Sequence, residues 1–207
     1  MGFSQGVSFS YLIPKNGLLA APVSPLSIRG IGFGAGAVGF ETGFTLYNIP
    51  GLSMEELPFE SNKPLVGPHF ATMVPAQLAL ALDFDGFRIK FLAGGFGFYQ
   101  LFPRINEGNM DRELLKYESW DVATSDLSME NKIGGGLMGG IEFSFPINNR
   151  TSFSTGVQYL SGRSASAIEG SYSGGVNGGI ISSREADFPD AKTLFEGFEI
   201  SFGVNFQ

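Results

Sequence analysis

Apolar and polar residues alternate with a period of two along most of this chain, the pattern of strands with two unlike faces. It is clearest over residues 78–91, LALALDFDGFRIKF. Leu78, Leu80, Leu82 and Phe84 fall on one face of the first arm, opposite Gln77, Ala79, Ala81 and Asp83. On the second arm Phe87, Ile89 and Phe91 oppose Arg88 and Lys90. Asp85-Gly86 between them suits a two-residue type I′ turn, whose central positions both need φ > 0. Such a turn sets Phe84 against Phe87 and Asp83 against Arg88.

The same pattern recurs before and after this hairpin. Residues 2–12 set Phe3, Val7, Phe9 and Tyr11 against Ser4, Gly6, Ser8 and Ser10. Residues 26–46 are too long and glycine-rich for one strand, so they split near 34–37 into strands at 26–33 and 38–48. Gly94-Gly95 reads as a bulge that returns Phe96 and Phe98 to the face of Phe87 and Phe91. Three more strands follow at 133–145, 151–161 and 194–206, each with aromatic residues opposite Gly, Ser and one or two polar positions. Eight strands result, the fold class is all-β, and one domain spans residues 1–207.

The connections alternate in length. Residues 14–25 form an apolar loop with Leu18, Leu19 and Val23, and residues 49–74 a proline-rich one with a helical turn at 53–56. Residues 102–131 hold Trp120 and two helical turns at 109–117 capped by Asn109. Residues 162–193 form a Ser/Gly loop. Tight turns join the other strands, so an up-and-down arrangement gathers all long loops at one end and both termini at the other.

Two closed architectures fit: a soluble barrel or sandwich with its apolar face inward, or a membrane barrel with that face outward. The polar face decides. A solvated face carries many charges, whereas this one is mostly Gly, Ser and Ala with about one charge per strand. With 30 glycines, 21 phenylalanines and only 16% charged residues against ~25% in soluble domains, the chain suits a lipid-facing band around a narrow interior. Aromatic girdles fit too. Phe3, Phe84, Phe87, Phe145 and Phe206 lie at the short-turn end, and Tyr11, Tyr47, Tyr99 and Tyr159 toward the long loops. Strict parity turns Tyr47 inward, and the bulge does the same to Tyr99. The membrane barrel is therefore expected.

Absence of cysteine removes disulfides and thiolate metal sites, and a net charge of −7 argues against nucleic acid. The first residues show no secretory signal, and Phe3 already lies in a strand pattern, so the chain reads as a mature sequence behind an added or coincidental Met1.

With this pattern the chain resembles the small eight-stranded outer-membrane barrels of the OmpA/OmpX type, and its Gly/Phe-rich strands resemble those of Bacteroidota. The closing alternation Phe202, Val204, Phe206 is similar to the terminal signal read by the barrel-assembly machinery, and Gln207 departs from it. The resemblance implies the outer membrane of a Gram-negative cell, contact with its lipid, short periplasmic turns, long extracellular loops and no cofactor.

The inward charges are Glu41, Asp83, Arg88, Lys90, Glu142 and Glu199, with Arg29 beside them. They read either as a conducting lumen or as a plug. The plug is favoured, because eight strands enclose room only for their own side chains and charges held from water must pair. His69, the sole histidine, lacks a nucleophile motif, with Ser61 the nearest serine, and reads as a surface residue. The acids of 102–131 read as a solvated face, and the glycine runs as close strand packing rather than phosphate cradles. The expected function is a non-enzymatic barrel acting through its loops as a structural or binding protein, with Leu18, Leu19, Val23 and Trp120 as the docking candidates. A narrow solute channel and a soluble lipocalin-like barrel are the alternatives.

Overall fold

The computed structural model describes residues 5–15 and 23–206. In chain order the elements are β1 (Gln5–Pro14), β2 (Val23–Ala35), β3 (Val38–Ile49), β4 (Met54–Glu55), β5 (His69–Phe84) and β6 (Phe87–Leu101). Then come α1 (Glu107–Glu118), β7 (Val122–Met129), β8 (Gly134–Asn148), β9 (Thr151–Ala165), β10 (Ile168–Gly175), β11 (Ser182–Phe188) and β12 (Lys192–Phe206). Antiparallel ladders run β1-β2-β3-β5-β6-β8-β9-β12, and β12 pairs back onto β1 from Gln5↔Phe206 to Pro14↔Gly197. Eight strands thus close into a barrel without a free edge, which removes the aggregation hazard of unpaired backbone.

Tight turns at Gly36-Ala37, Asp85-Gly86 and Asn149-Arg150 share one end of the barrel with the strand ends near both termini. The first of these falls inside the 34–37 stretch marked by the sequence. At the second, Asp83 pairs with Arg88 and Phe84 with Phe87, whose rings stack at 4.9 Å. Gly86 adopts φ 88°, where a side chain would be strained.

The barrel is inside out relative to a water-soluble protein. Leu78 is 66% exposed on its outer wall, with Phe9, Val74, Phe91, Ile141 and Phe202 exposed alongside. Ser10, Ser27, Gln77, Gln158 and Glu199 are buried within it. An apolar surface encircling a barrel far exceeds the patches that water-soluble proteins tolerate, and matches the lipid-facing band of a membrane barrel. β5, β6, β8, β9 and β12 have 15 or 16 residues, more than the ~9–11 needed for a tilted crossing.

Several sequence expectations are corrected. No bulge interrupts β6: Gln77 pairs with Gly94 and Ala76 with Gly95 in unbroken register. Phe96 and Phe98 therefore point inward and are buried, and Tyr99 points outward. Met54 and Glu55 pair with β12 instead of forming a helical turn. The helix starts at Glu107, capped by Asn106, whose side chain accepts from the Asn109 amide at 3.1 Å. Asn109 itself donates to the Pro64 carbonyl at 2.8 Å.

The long connections also contain a second structure. β7, β10 and β11 form a three-stranded sheet in the order β11-β10-β7, with α1 packed on β7. Leu65, Val66, Met110, Leu114, Ile168 and Tyr172 belong to a buried cluster joining this sheet, α1 and the β3–β5 connection. The result is a cap with a conventional, inward-facing apolar core.

Candidate functional site

Because inward side chains alternate with outward ones, the lumen is a stack of layers set by strand register. At the short-turn mouth Arg88 pairs with Asp83, beside a cavity of about 150 Å³ lined also by Phe84, Phe87, Lys90, Ser144 and Ser152. Above it Lys90, 4% exposed, places Nζ 2.9 Å from Glu41 Oε1 and 3.1 Å from Glu142 Oε1. Gln77 Nε2 donates to Gln158 Oε1 at 2.7 Å across the lumen.

Glu199 is 1% exposed. Its Oε1 accepts from Arg29 Nη2 at 2.6 Å and from the Tyr47 hydroxyl at 2.7 Å. Arg29 also donates to Thr45 Oγ1 at 2.9 Å, and Thr45 shares a hydrogen bond with Ser27. The geometry thus gives Lys90, Glu41 and Glu142 one group, Arg29, Glu199 and Tyr47 a second, and Asp83 with Arg88 a third at the mouth.

The next layer is apolar and was not foreseen. Tyr47, Phe96, Phe98 and Phe195 fill the barrel, with Phe98 and Phe195 stacked at 4.9 Å and Phe195 5.5 Å from the Tyr47 ring. Leu12, Met73, Met138 and Leu160 complete the septum. Two glycines make room for it. A Cβ on Gly134 would lie 2.4 Å from the Phe98 ring, and one on Gly162 2.6 Å from Phe96. Unbroken period-two parity from Phe87 onward is the signal that would have placed Phe96 and Phe98 here.

Polar groups resume above the septum. Gln100 Nε2 donates to Ser164 Oγ at 3.1 Å, and Thr193 Oγ1 to Ser166 Oγ at 2.8 Å. His69 opens β5 in this layer and is buried, which corrects its assignment to the surface. Ser61 instead bonds the Lys63 carbonyl.

In the cap, Glu118 Oε1 accepts from the Tyr172 hydroxyl at 2.7 Å, and its Oε2 lies 2.9 Å from Arg184 Nη1. Burial first, then the Glu118 hydrogen bond and charge, push the Tyr172 phenol up to about 12. Trp120 is half-buried, 5.8 Å from the Tyr172 ring and beneath the Arg184 guanidinium, so its ring is engaged within the cap. Val23 belongs to β2, paired with Tyr11 and Asn48, rather than to a loop. Leu18, Leu19 and Phe3 lie outside the described residues. Glu113 and Glu118 are at most 6% exposed at their side chains and salt-bridged, so the acids of 102–131 are not uniformly solvated. Among the described residues no three His, Asp or Glu side chains converge as a metal site.

At the distal end of the cap Val176, Ile180 and Ile181 project into solvent, Ile180 90% exposed and Ile181 70%. Val122 joins them, paired with Gly175, where the Ile180 carbonyl also approaches. On the barrel wall Phe84, Phe145 and Phe206 are exposed at the short-turn end, and Phe87 is half-buried between Phe84 and Phe145. Tyr11, Tyr99 and Tyr159 are exposed toward the long loops, whereas Tyr47 is fully buried.

An apolar wall around a polar and aromatic interior defines a membrane-spanning β-barrel, here with a folded cap on its long-loop end. Three solved structures are similar to it over the whole chain: Ail, the attachment invasion locus protein of Yersinia pestis (11% identity, 99% of that chain, TM-score 0.43), a major outer membrane protein from Thermus thermophilus (10%, 99%, 0.45) and the E. coli outer membrane protein W (11%, 98%, 0.45). At those scores they carry no argument, and the barrel assignment rests on this chain's own ladders and faces. No family model matches the chain, and no curated protein matches it.

Proposed function

We propose that this chain is a non-enzymatic outer-membrane barrel that works through its cap, with the short turns periplasmic, the cap extracellular and the cap tip docking a protein partner. The observation that carries this reading is the tip itself. Val122, Val176, Ile180 and Ile181 are exposed although the cap beneath them has a well-buried core of its own. Such an apolar cluster held far from the lipid belt is costly in water and is a mark of interaction surfaces. The tightly filled lumen supports a role outside the barrel, and its polar, packed interior argues against a lipocalin-like apolar cavity.

The test is a photoreactive residue placed at Asn177, between Val176 and Ile180, in intact cell envelopes. One discrete protein adduct is expected, lost with Ile180→Ser/Ile181→Ser and not formed from Arg150 in a short turn. Lipid adducts alone, or the same adduct from both positions, would sink the docking reading.

A further inference from the structure

The lumen has polar groups without protein partners on both sides of its septum. On the short-turn side, the Oγ atoms of Ser8, Ser10 and Ser24, Arg29 Nη1 and Glu199 Oε2 are buried with no hydrogen-bond partner. These five atoms sit together, since Ser10 pairs with Ser24 and Leu12 with Glu199 across adjacent ladders. On the long-loop side the two ring nitrogens of His69, Gln100 Oε1 and Asn131 Oδ1 are buried and unpartnered. Asn131 donates to the Gln100 carbonyl at 2.5 Å, so these groups also form one neighbourhood. Leaving so many polar atoms dry is unfavourable, and ordered water is the usual remedy in a polar, roomy interior.

Between the two neighbourhoods lies only the apolar septum of Tyr47, Phe96, Phe98 and Phe195 with its aliphatic neighbours. The mouth cavity reaches Lys90, Ser144 and Ser152, which puts the lower neighbourhood within a few side chains of bulk water. The charges inside are unbalanced. Asp83, Glu41, Glu142 and Glu199 face Arg29, Arg88 and Lys90, so one carboxylate charge among the described lumen residues has no countercharge. An apolar constriction between wet compartments closes a pore by excluding water, and a net negative lining favours cations.

We infer that the lumen is a closed pathway for small monovalent cations, two hydrated compartments separated by a single aromatic septum that alone holds it shut. The inference needs the membrane-barrel reading but not the docking partner. The barrier is a layer of side chains rather than a plug of backbone, so truncating the rings in place opens the path.

The test uses the full chain in planar bilayers under a KCl gradient. Wild type is expected to show no steady openings. Phe96→Ala/Phe195→Ala is expected to open steadily with a reversal potential on the cation side, and adding Glu142→Gln to weaken that preference. Phe198→Ala, on the outer wall of the same strand, is expected to stay silent. A double variant that inserts with heat-modifiable migration yet stays as silent as wild type overturns the inference, as does wild type carrying the same current. Failure of wild type to insert at all would instead count against the membrane barrel.

A second measurement does not depend on the truncated barrel folding. The chain has no cysteine, so single thiols can be probed with silver ion, a thiol-reactive monovalent cation. Ser154→Cys, below the septum, is expected to react readily from the short-turn side, and Met138→Cys, in the septum, to be protected. An inert Ser154→Cys, or equal rates at both, overturns the two-compartment lumen.

Discussion

The barrel wall and the cap solve the same burial problem in opposite directions. In the barrel, leucine and phenylalanine point out and glutamate, lysine and glutamine point in. In the cap, Met110, Leu114 and Ile168 point in, and Lys116 and Arg112 point out. The chain has not changed its chemistry between them; the surrounding medium has. A wall facing lipid gains nothing by hiding apolar groups and must satisfy every polar one inside, whereas a cap in water gains about 25 cal/mol for each Å² of apolar surface it buries. The barrel is therefore held by closed ladders and buried ion pairs, and the cap by an ordinary hydrophobic core.

The largest effect that separates them is at Lys90. Lys90→Met leaves Glu41 and Glu142 facing each other without a cation in the barrel interior. Removing one partner of a buried ionic group costs about 3–5 kcal/mol, so the urea midpoint for loss of heat-modifiable migration is expected to fall sharply. If the midpoint does not move, the triad is wet and contributes nothing to the barrel. Emptying the cap core should do the converse. Leu114→Ala creates a cavity worth about 2–5 kcal/mol, expected to expose α1 and β7 to protease while the barrel keeps its heat-modifiable migration. Joint loss of cap and barrel would show that the two are a single cooperative unit.

How each region reads from sequence follows from the same contrast. The barrel strands were legible because a two-sided wall in two media enforces strict alternation, as at Leu78, Leu80 and Leu82 opposite Gln77, Ala79 and Ala81. The turn at Asp85-Gly86 and the division near Gly36 followed from φ requirements that few residues meet. Alternation was misjudged at Gly94-Gly95, where two glycines looked like a bulge; keeping every aromatic outward hid the inward Phe96 and Phe98 and with them the septum. The cap was the least legible part. β10 reads IEGSYSGG, with only Ile168 and Tyr172 as apolar anchors, because a short sheet covered on one face needs few of them. β7 did carry a weak alternation in Ala123, Leu127 and Met129.

The outer wall offers a sharper test of the inversion. Ile141 is exposed on β8, midway between Phe145 and the level of the Tyr159 girdle, beside Phe91 and Val157 in the ladders. On a water-exposed face Ile141→Arg would be close to neutral, within about 0.5 kcal/mol. On a lipid-facing midplane it costs about 2–4 kcal/mol. Folding into vesicles is expected to show the larger penalty, and a neutral result there would remove the lipid-facing assignment of this wall.

The smallest expected effect belongs to the cap alone. The folded cap holds the Tyr172 proton up to about pH 12, while an exposed tyrosine releases it at ~10. Between those values the folded cap binds a proton that the unfolded segment has lost, so cap stability falls as pH rises through that window and is untouched below it. Trp120, the one tryptophan of the chain, lies against Tyr172 and reports on the change. Its emission is expected to shift to the red between about pH 10 and 12 while the far-ultraviolet signal of the barrel strands persists. Tyr172→Phe removes the titrating phenol and should flatten the shift. If the Phe variant shows the same shift, the alkaline transition of the cap arises elsewhere, and Tyr172 with Glu118 is only a packing contact. If fluorescence and barrel signal instead move together, the contrast between wall and cap does not extend to their stability.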